Sequence, residues 1–144
     1  MYADGEGVTK DYVQAAAWFR KAAEQGLDIA QQRLGLMFEE GKGVDKDVAE
    51  AIAWYRKAAE QGEPEAQLNL GVMYANGEGI AQDYVQAATW YRKAAEQDDA
   101  RAQFNLGLCY EHGTGVTKDN GQAMAWYGKA ADRGHDRAKA KLRQ

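Results

Sequence analysis

The sequence predicts an all-α protein built as an array of paired helices. Tryptophan recurs every 36 residues, and aspartate and pairs of glycines recur in the same register. Self-similarity at such a period is typical of solenoids, in which each repeat buries its apolar face only against its neighbours. The composition is rich in the helix formers Ala, Glu, Gln, Lys and Arg, and proline occurs once. The register is set by Trp18, Trp54, Trp90, Trp126, Asp11, Asp47, Asp83 and Asp119.

The first helix of each repeat, helix A, is recognised by apolar residues at spacings of four and three, which lie on one helix face. Its predicted copies span Asp28–Glu40, Pro64–Asn76 and Ala100–His112. Pro64 fits the first helical turn, where its missing N–H has no intrahelical partner. Gly35, Gly71 and Gly107 lie mid-helix and each costs about 1 kcal/mol relative to alanine. We therefore expect a neighbouring helix to approach closely at these glycines.

A Gly-x-Gly loop connects helix A to the second helix, helix B. Its first glycine can supply a left-handed helix cap, and the apolar residue after the second glycine is expected to tuck under the helix pair. The recurring aspartate is predicted to cap helix B, with Gln or Glu three residues later as in a capping box. The apolar loop residues are Val8, Val44, Ile80 and Val116.

Helix B is expected to bury small and aromatic residues, because alanines let helices approach while aromatic rings fill the space between repeats. It is predicted to end at Gly26, Gly62 and Gly134, whereas Asp98 breaks the pattern and should give a less regular end. The buried set is Ala15, Trp18, Phe19, Ala22, Ala23 and their equivalents in later repeats.

The predicted organisation is a single array over residues 1–144. It consists of a partial first unit 1–26, units 27–62, 63–98 and 99–134, and a capping helix 135–144 with a polar face. Met1 and Tyr2 fall in register with the last turn of a helix A, so the chain reads as a fragment of a longer array. Self-association through an uncovered apolar face at that end is a further hypothesis.

A resemblance to a known family rests on the run Ala66–Tyr74, on Gly77-Glu78-Gly79-Ile80, on Asp83 and on Ala87–Gln97. These residues resemble the Sel1-like repeat signature. The resemblance implies a right-handed αα-superhelix, similar to tetratricopeptide repeats, that binds proteins or peptides, often in bacterial signalling, envelope biology or host contact. Some secreted members carry a disulfide in each repeat. This chain departs from them, since its single Cys109 fills a slot that holds methionine in the other repeats.

The same resemblance implies that helix A lines a concave ligand surface. Asn69 and Asn105 are the most suggestive residues there, because an amide offers both a donor and an acceptor to a peptide backbone. Alternatively, they are polar fillers that bond to a neighbouring loop. Leu36, Val72 and Leu108 are expected to be partly buried. The candidate peptide-binding set is Arg33, Asn69, Asn105, Gln32, Leu68, Phe104, Asn76 and His112.

Catalytic and metal chemistry find little support. Cys109 and His112 share a helix face, but the methionine register predicts a buried, inert thiol. His112 and His135 are too few and too scattered for a metal site. The glycine pairs lack the lysine and Ser/Thr of a phosphate-binding loop. The sequence therefore predicts no catalytic residue, no metal site and no cofactor.

The net charge of −4 gives no support for nucleic-acid binding, and no apolar run reaches the roughly 20 residues needed to cross a bilayer. No secretory signal is visible, which leaves bacterial cytoplasm, periplasm and secretion open. The predicted function is a non-catalytic protein- or peptide-binding scaffold. One alternative is a cell-wall or carbohydrate-associated protein that binds or hydrolyses peptidoglycan fragments. Another is an engineered or consensus-like array, since Met1–Leu36 and Met73–Leu108 are unusually alike.

Overall fold

The structure, a computed structural model, describes residues 6–144, with side chains from Lys10 onward. Consecutive helices pack in pairs, no strand occurs in this range, and the predicted all-α class is confirmed. The chain divides into two compact units, of which the first extends to Ala66 and the second spans Gln67–Gln144. The helices are α1 (Glu6–Glu24), α2 (Asp28–Glu40), α3 (Val48–Glu60), α4 (Pro64–Asn76), α5 (Tyr84–Ala95), α6 (Ala100–His112), α7 (Asn120–Asp132) and α8 (Asp136–Leu142).

The three predicted copies of helix A are confirmed, because α2, α4 and α6 have the predicted bounds. Each ends at the first loop glycine, which takes the left-handed conformation that a side chain disfavours. Gly41 has φ of 71° and Gly113 has φ of 70°. The Gly41 N–H donates to the Met37 carbonyl, which satisfies one of the carbonyls left open at the helix end. Val116, beyond the second glycine, packs against the core as expected.

The predicted aspartate caps are confirmed in α3, α5 and α7. In α3, the Asp47 carboxylate accepts the Glu50 N–H at 3.1 Å, and Asp83 and Asp119 make equivalent bonds. The other half of a capping box is replaced. The Asp47 N–H donates to the Phe38 carbonyl of helix A at 2.9 Å rather than to a helix B side chain. The break between helices A and B is therefore fixed from both sides.

The first repeat differs from the prediction of a loop up to Asp11. Helix α1 runs Glu6–Glu24, so Asp11 lies inside the helix and caps nothing. In later repeats the aspartate N–H is held by a carbonyl of the preceding helix A, and the described residues hold no helix A before α1. Without that acceptor, the segment continues as helix. The predictions for Met1, Tyr2 and Gly5, and for the Val8 side chain, lie outside the described residues.

The mid-helix glycines are explained by the tyrosines of helix B. A Cβ placed on Gly35 would lie 2.7 Å from the Tyr55 ring, and one on Gly107 would lie 2.6 Å from the Tyr127 ring. Gly71 meets Tyr91 in the same way, at 2.8 Å. The expected close approach is confirmed. The helix propensity lost at each glycine allows an aromatic ring to lie directly on the helix A backbone.

The predicted buried face of helix B is correct in the later repeats and wrong at Trp18. Trp126 is 8% exposed and packs with Ala88 and Ala95 of α5, in the preceding helix pair, whereas Trp18 is 72% exposed. The reason is that the described residues provide no helix pair before α1 against which Trp18 could pack. Self-association through this end stays a prediction.

The ends of helix B follow the sequence pattern. Gly26, Gly62 and Gly134 have positive φ after α1, α3 and α7. Asp98 takes the same left-handed conformation, with φ of 69°, and α5 ends one residue earlier in register than α3 and α7. The turn after α5 also has the hydrogen bonds of the turn after α3, with Asp98 donating to Ala95 as Gly62 donates to Ala59. The prediction of a less regular end at Asp98 is therefore wrong, because the aspartate adopts the conformation of the glycine it replaces.

Candidate functional site

A pocket of about 160 Å³ lies in the second compact unit, beside the C-terminal half of α6. Most of its wall is apolar, and the polar groups at its edge are few. Two residues of the predicted peptide-binding set, Asn105 and His112, contribute to it. The lining residues, from the end of α4, from α5, from α6 and from the loop after α6, are Ala75, Tyr84, Ala87, Tyr91, Asn105, Leu108, Cys109, His112 and Thr114.

In the next helix pair, α6–α7, the equivalent space is occupied by the side chain of Glu111. The Tyr127 hydroxyl donates to Oε1 of Glu111 at 2.6 Å, and Lys141 Nζ of α8 donates to Oε2 at 3.1 Å. Both carboxylate oxygens therefore have a donor. The hydrogen bond from Tyr127, followed by the interaction with Lys141, lowers the pKa of the Glu111 carboxyl below its usual value.

Each member of this cluster has an equivalent 36 residues earlier, and these equivalents border the pocket. Ala75, Tyr91 and Asn105 stand in the register positions of Glu111, Tyr127 and Lys141. Because Ala75 ends at Cβ, the carboxylate is missing. Among the described residues, neither the Tyr91 hydroxyl nor the Asn105 amide has a hydrogen-bond partner.

The first compact unit repeats the filled arrangement at its own tyrosine. The Tyr55 hydroxyl donates to Oε1 of Glu39 at 2.6 Å. A glutamate at this position of helix A is thus the acceptor for the helix B tyrosine in two helix pairs. The sequence alternates here between alanine and glutamate, as Ala3, Glu39, Ala75 and Glu111, and the pair α4–α5 has the alanine.

The Tyr91 hydroxyl is a hydrogen-bond donor at physiological pH. Burial raises the pKa of Tyr91 well above its usual value, and the nearby Cys109 adds to the effect. A neutral phenol in a mainly apolar wall presents one O–H donor to whatever enters the pocket. The Asn105 side chain is half-buried and adds an amide.

Cys109 is one of the buried residues that line the pocket. Its side chain is buried, as predicted from the methionine register, and burial raises the pKa of its thiol. A protonated thiol is a poor nucleophile. Its contact with Thr114 and its packing against Leu106 and Tyr91 are those of a small core residue.

The helix A column of polar residues is accessible in varying degrees. Arg33 in α2 is exposed, Asn69 in α4 is half-buried, and Asn76 and His112 at the helix ends are exposed. Within residues 6–144, no hydrogen bond joins Asn69 or Asn105 to a neighbouring loop, the arrangement that would have made them structural fillers. Leu36, Val72 and Leu108 are partly buried, as expected.

Three members of the predicted binding set are core residues instead. Gln32 is 2% exposed, Leu68 4% and Phe104 2%. Phe104 packs against Tyr127 and stacks on the His135 ring with centroids 4.6 Å apart. The error has a physical cause. In the second unit, helix A packs both against its own helix B and against the next helix, so its buried face is wider than a single apolar stripe.

A column of buried glutamines was missed, although its 36-residue spacing is visible in the sequence. Gln31 Nε2 donates to the Ala23 carbonyl at 3.1 Å and Gln103 Nε2 to the Ala95 carbonyl at 3.2 Å. The Gln31 Oε1 accepts from Gln61 at 2.7 Å. Arg133 stands at the equivalent of Gln61 beside Gln103, and Gln103 Oε1 is buried without a partner among the described residues.

Residues 6–144 contain neither a cluster of metal-binding side chains nor a membrane-spanning helix. No group of three or more His, Cys, Asp or Glu side chains lies close enough together to hold a metal ion. No helix in the same range is long and apolar enough to traverse a bilayer.

The repeat identified by periodicity matches a known family model. The Sel1 repeat model matches residues 1–27, 28–63, 64–99 and 100–135, nearly the whole chain. The chain belongs to the Sel1 repeat family. The predicted resemblance is therefore confirmed, and Sel1 repeat proteins are typically non-catalytic scaffolds for protein interactions.

Solved Sel1 repeat structures share the fold. A protective antigen of uropathogenic Escherichia coli is 47% identical over 92% of this chain, with a TM-score of 0.90. A Sel1 repeat protein from Oxalobacter formigenes is 46% identical over 99% of the chain, with a TM-score of 0.87. Cysteine-rich protein B of Helicobacter pylori is 26% identical over 94%, with a TM-score of 0.74.

The chain spans 28% of the Escherichia coli protein, 58% of the Oxalobacter protein and 98% of the Helicobacter protein. No curated protein matches the sequence. The comparisons thus establish the family and the fold of the repeats.

Proposed function

We propose that this Sel1 repeat chain is a non-catalytic scaffold that binds a peptide segment of another protein through helix A residues of its second unit. The observation that supports this most directly is the pocket beside α6, which opens next to the half-buried Asn105 amide. A mainly apolar pocket with a few polar groups at its edge is the usual form of a site that anchors one side chain of a ligand.

The asparagines supply what a peptide backbone requires. An extended peptide presents N–H and C=O groups that lose water when it binds, and a side-chain amide can replace that water with one donor and one acceptor. Asn69 and Asn105 stand at the same position of α4 and α6 and make no hydrogen bond among the described residues. Their amides are therefore available to a ligand.

The pocket is better suited to binding than to hydrolysis. Glycoside hydrolysis by the usual mechanisms needs two carboxyl groups, roughly 5 to 9.5 Å apart, on either side of the scissile bond. None of the nine lining residues is acidic. The Cys109 thiol is buried with a raised pKa, which makes it a weak nucleophile.

A selection from a random peptide library on the immobilised chain tests the proposal. We expect a set of related peptides to be enriched, and one synthetic member to bind in calorimetry. Its affinity should fall at least about tenfold in the Asn69→Ala/Asn105→Ala variant, since two backbone hydrogen bonds are removed. Circular dichroism establishes that the variant keeps its helicity.

The matched control is Thr89→Ala, an equally small change on the exposed face of α5. This variant should bind the selected peptide as the wild type does. Equal binding by wild type and the double asparagine variant would move the site away from helix A. Failure to enrich any peptide would contradict the proposed function itself.

A further inference from the structure

The pocket beside α6 is the position of a glutamate carboxylate that the fold supplies elsewhere. Glu39 and Glu111 occupy this position in their own helix pairs, where each accepts a hydrogen bond from the helix B tyrosine at 2.6 Å. In the pair α4–α5, Ala75 replaces the glutamate, while Tyr91 keeps the same position on helix B. The scaffold therefore retains a donor for a carboxylate that the chain does not provide.

A second polar side chain, Asn105, lines the same pocket. Lys141 donates to Glu111 at 3.1 Å from the register position that Asn105 occupies one repeat earlier. The long lysine side chain at this position of α8 thus reaches the carboxylate of the preceding pair. Tyr91 and Asn105 both line the pocket, and Asn105 carries the N–H donors of its amide.

From these equivalences we propose that the pocket binds the glutamate side chain of an acidic peptide. The ligand's carboxylate takes the place of the carboxylate that Ala75 lacks, accepting from the Tyr91 hydroxyl and from the Asn105 amide. Its methylene carbons lie against the apolar wall, which includes Ala87 and Leu108. The proposal rests on the peptide-binding function proposed above and names the side chain that the site recognises.

The chemistry favours a modest affinity. A carboxylate with two donors is stabilised by charge-assisted hydrogen bonds, which are stronger than neutral ones. At Glu111 the second donor is the cationic Lys141, whereas the pocket offers the neutral Asn105. The negative charge of a carboxylate bound in the pocket is therefore only partly balanced. The exposed His112 is the one basic side chain among the lining residues.

The test uses a probe that does not depend on any selected peptide. N-acetyl-glutamate N-methylamide carries the proposed side chain in a peptide frame, and the matching glutamine and alanine compounds are the controls. The chain labelled with nitrogen-15 is titrated by NMR, and the side-chain amide of Asn105 is followed. We expect a saturable shift with the glutamate probe at millimolar concentration, about the affinity that a few hydrogen bonds provide.

Three variants sharpen this titration. Ala75→Glu restores the chain's own glutamate and should abolish the shift while the protein stays folded. Tyr91→Phe removes one donor and should weaken binding about tenfold. Asn105→Lys, followed by backbone signals of α6, gives the site the cation that Lys141 provides to Glu111 and should tighten binding.

The outcomes separate the two proposals. No saturable shift with the glutamate probe, an unchanged shift in Ala75→Glu, or equal binding of the glutamine probe would overturn the carboxylate site. A peptide library could still yield ligands in that case, and the scaffold function would stand without this pocket. Conversely, glutamate binding that Ala75→Glu abolishes supports the site even if no library peptide is enriched.

Discussion

Two neighbouring helix pairs of the second unit, α4–α5 and α6–α7, share one backbone design and differ near the end of helix A. In α6–α7, Glu111 is bonded to Tyr127 and to Lys141 of α8. In α4–α5, Ala75 leaves the equivalent space open, and Tyr91 and Asn105 border a pocket of about 160 Å³. In a repeat protein, most residues are fixed by the need to pack against similar neighbours. The position that alternates between alanine and glutamate along the repeats is therefore where we expect a binding function.

The largest difference between the two pairs should appear at their mid-helix glycines. Gly107→Ala places a Cβ about 2.6 Å from the Tyr127 ring, and this ring is held in place because its hydroxyl donates to Glu111. The substitution should therefore lower the free energy of unfolding by about 2 kcal/mol. Gly71→Ala should cost less, because the pocket beside Tyr91 gives its ring room to shift, while the Ala87 carbonyl oxygen, 3.2 Å from the added Cβ, accounts for the remaining loss. Urea denaturation measures both.

Gly128→Ala is the control for these glycines. No atom lies within 4 Å of a Cβ at this position of α7, so the variant should be stabilised by about 1 kcal/mol through helix propensity alone. Equal losses for Gly71→Ala and Gly107→Ala would show that the pocket gives the Tyr91 ring no room to move.

The tyrosine hydroxyls offer a second comparison. Tyr127→Phe removes the donor to the Glu111 carboxylate and should lower the free energy of unfolding by about 1.5 kcal/mol. Tyr91→Phe should change it by less than about 0.5 kcal/mol, because its hydroxyl has no partner among the described residues. A loss at Tyr91 as large as that at Tyr127 would mean that the fold itself uses the Tyr91 hydroxyl.

In the column of buried glutamines, a substitution outside the pocket can supply a hydrogen-bond donor to Gln103 Oε1, which has no partner among the described residues. Arg133→Gln should restore to Gln103 the side-chain partner that Gln61 gives Gln31, raising the free energy of unfolding by about 1 kcal/mol. The exposed ion pair of Arg133 with Asp98, at 3.0 Å, is lost at little cost. Thermal denaturation measures the gain, and a decrease would show that the ion pair matters more than the buried oxygen.

The smallest expected effect is a pH dependence of the free energy of unfolding that arises from Glu111 in the pair α6–α7. The pKa of Glu111 is lower in the folded chain than in the unfolded one, so its stabilising contribution is present above the usual glutamate pKa of about 4.3. The contribution is lost as the pH falls through the lower, folded pKa. Between about pH 6 and pH 3, Glu111→Gln should therefore lose less stability than the wild type. An equal loss of stability in the wild type and in Glu111→Gln over this pH range would contradict the lowered pKa of Glu111 in the folded chain.

The fold was predictable from the sequence because the same short-range pattern is repeated. Apolar spacing, the loop glycines and the aspartate caps gave the bounds of α2, α4 and α6 and the starts of α3, α5 and α7. The errors came from contacts between elements. The exposure of Trp18 and the burial of Leu68 and Phe104 depend on which helices lie beside them, which periodicity does not specify.

The candidate site was predictable only in part. The sequence points to Asn105 and His112 as polar residues on helix A, and both line the pocket. The pocket itself arises from an absence, the alanine at position 75, and from the buried Tyr91 on another helix. Aligning the repeats shows that substitution, but its meaning depends on the bonds that Glu39 and Glu111 make in the folded chain.

The most direct test of the missing-carboxylate interpretation is a double-mutant cycle of Ala75→Glu with Tyr91→Phe, measured by urea denaturation. If the pocket is the position of a missing glutamate, Ala75→Glu should raise the free energy of unfolding by about 1 to 2 kcal/mol when Tyr91 is present. Most of that gain should disappear in the Tyr91→Phe background. An Ala75→Glu variant that is destabilised, or equally stabilised in both backgrounds, would contradict the interpretation.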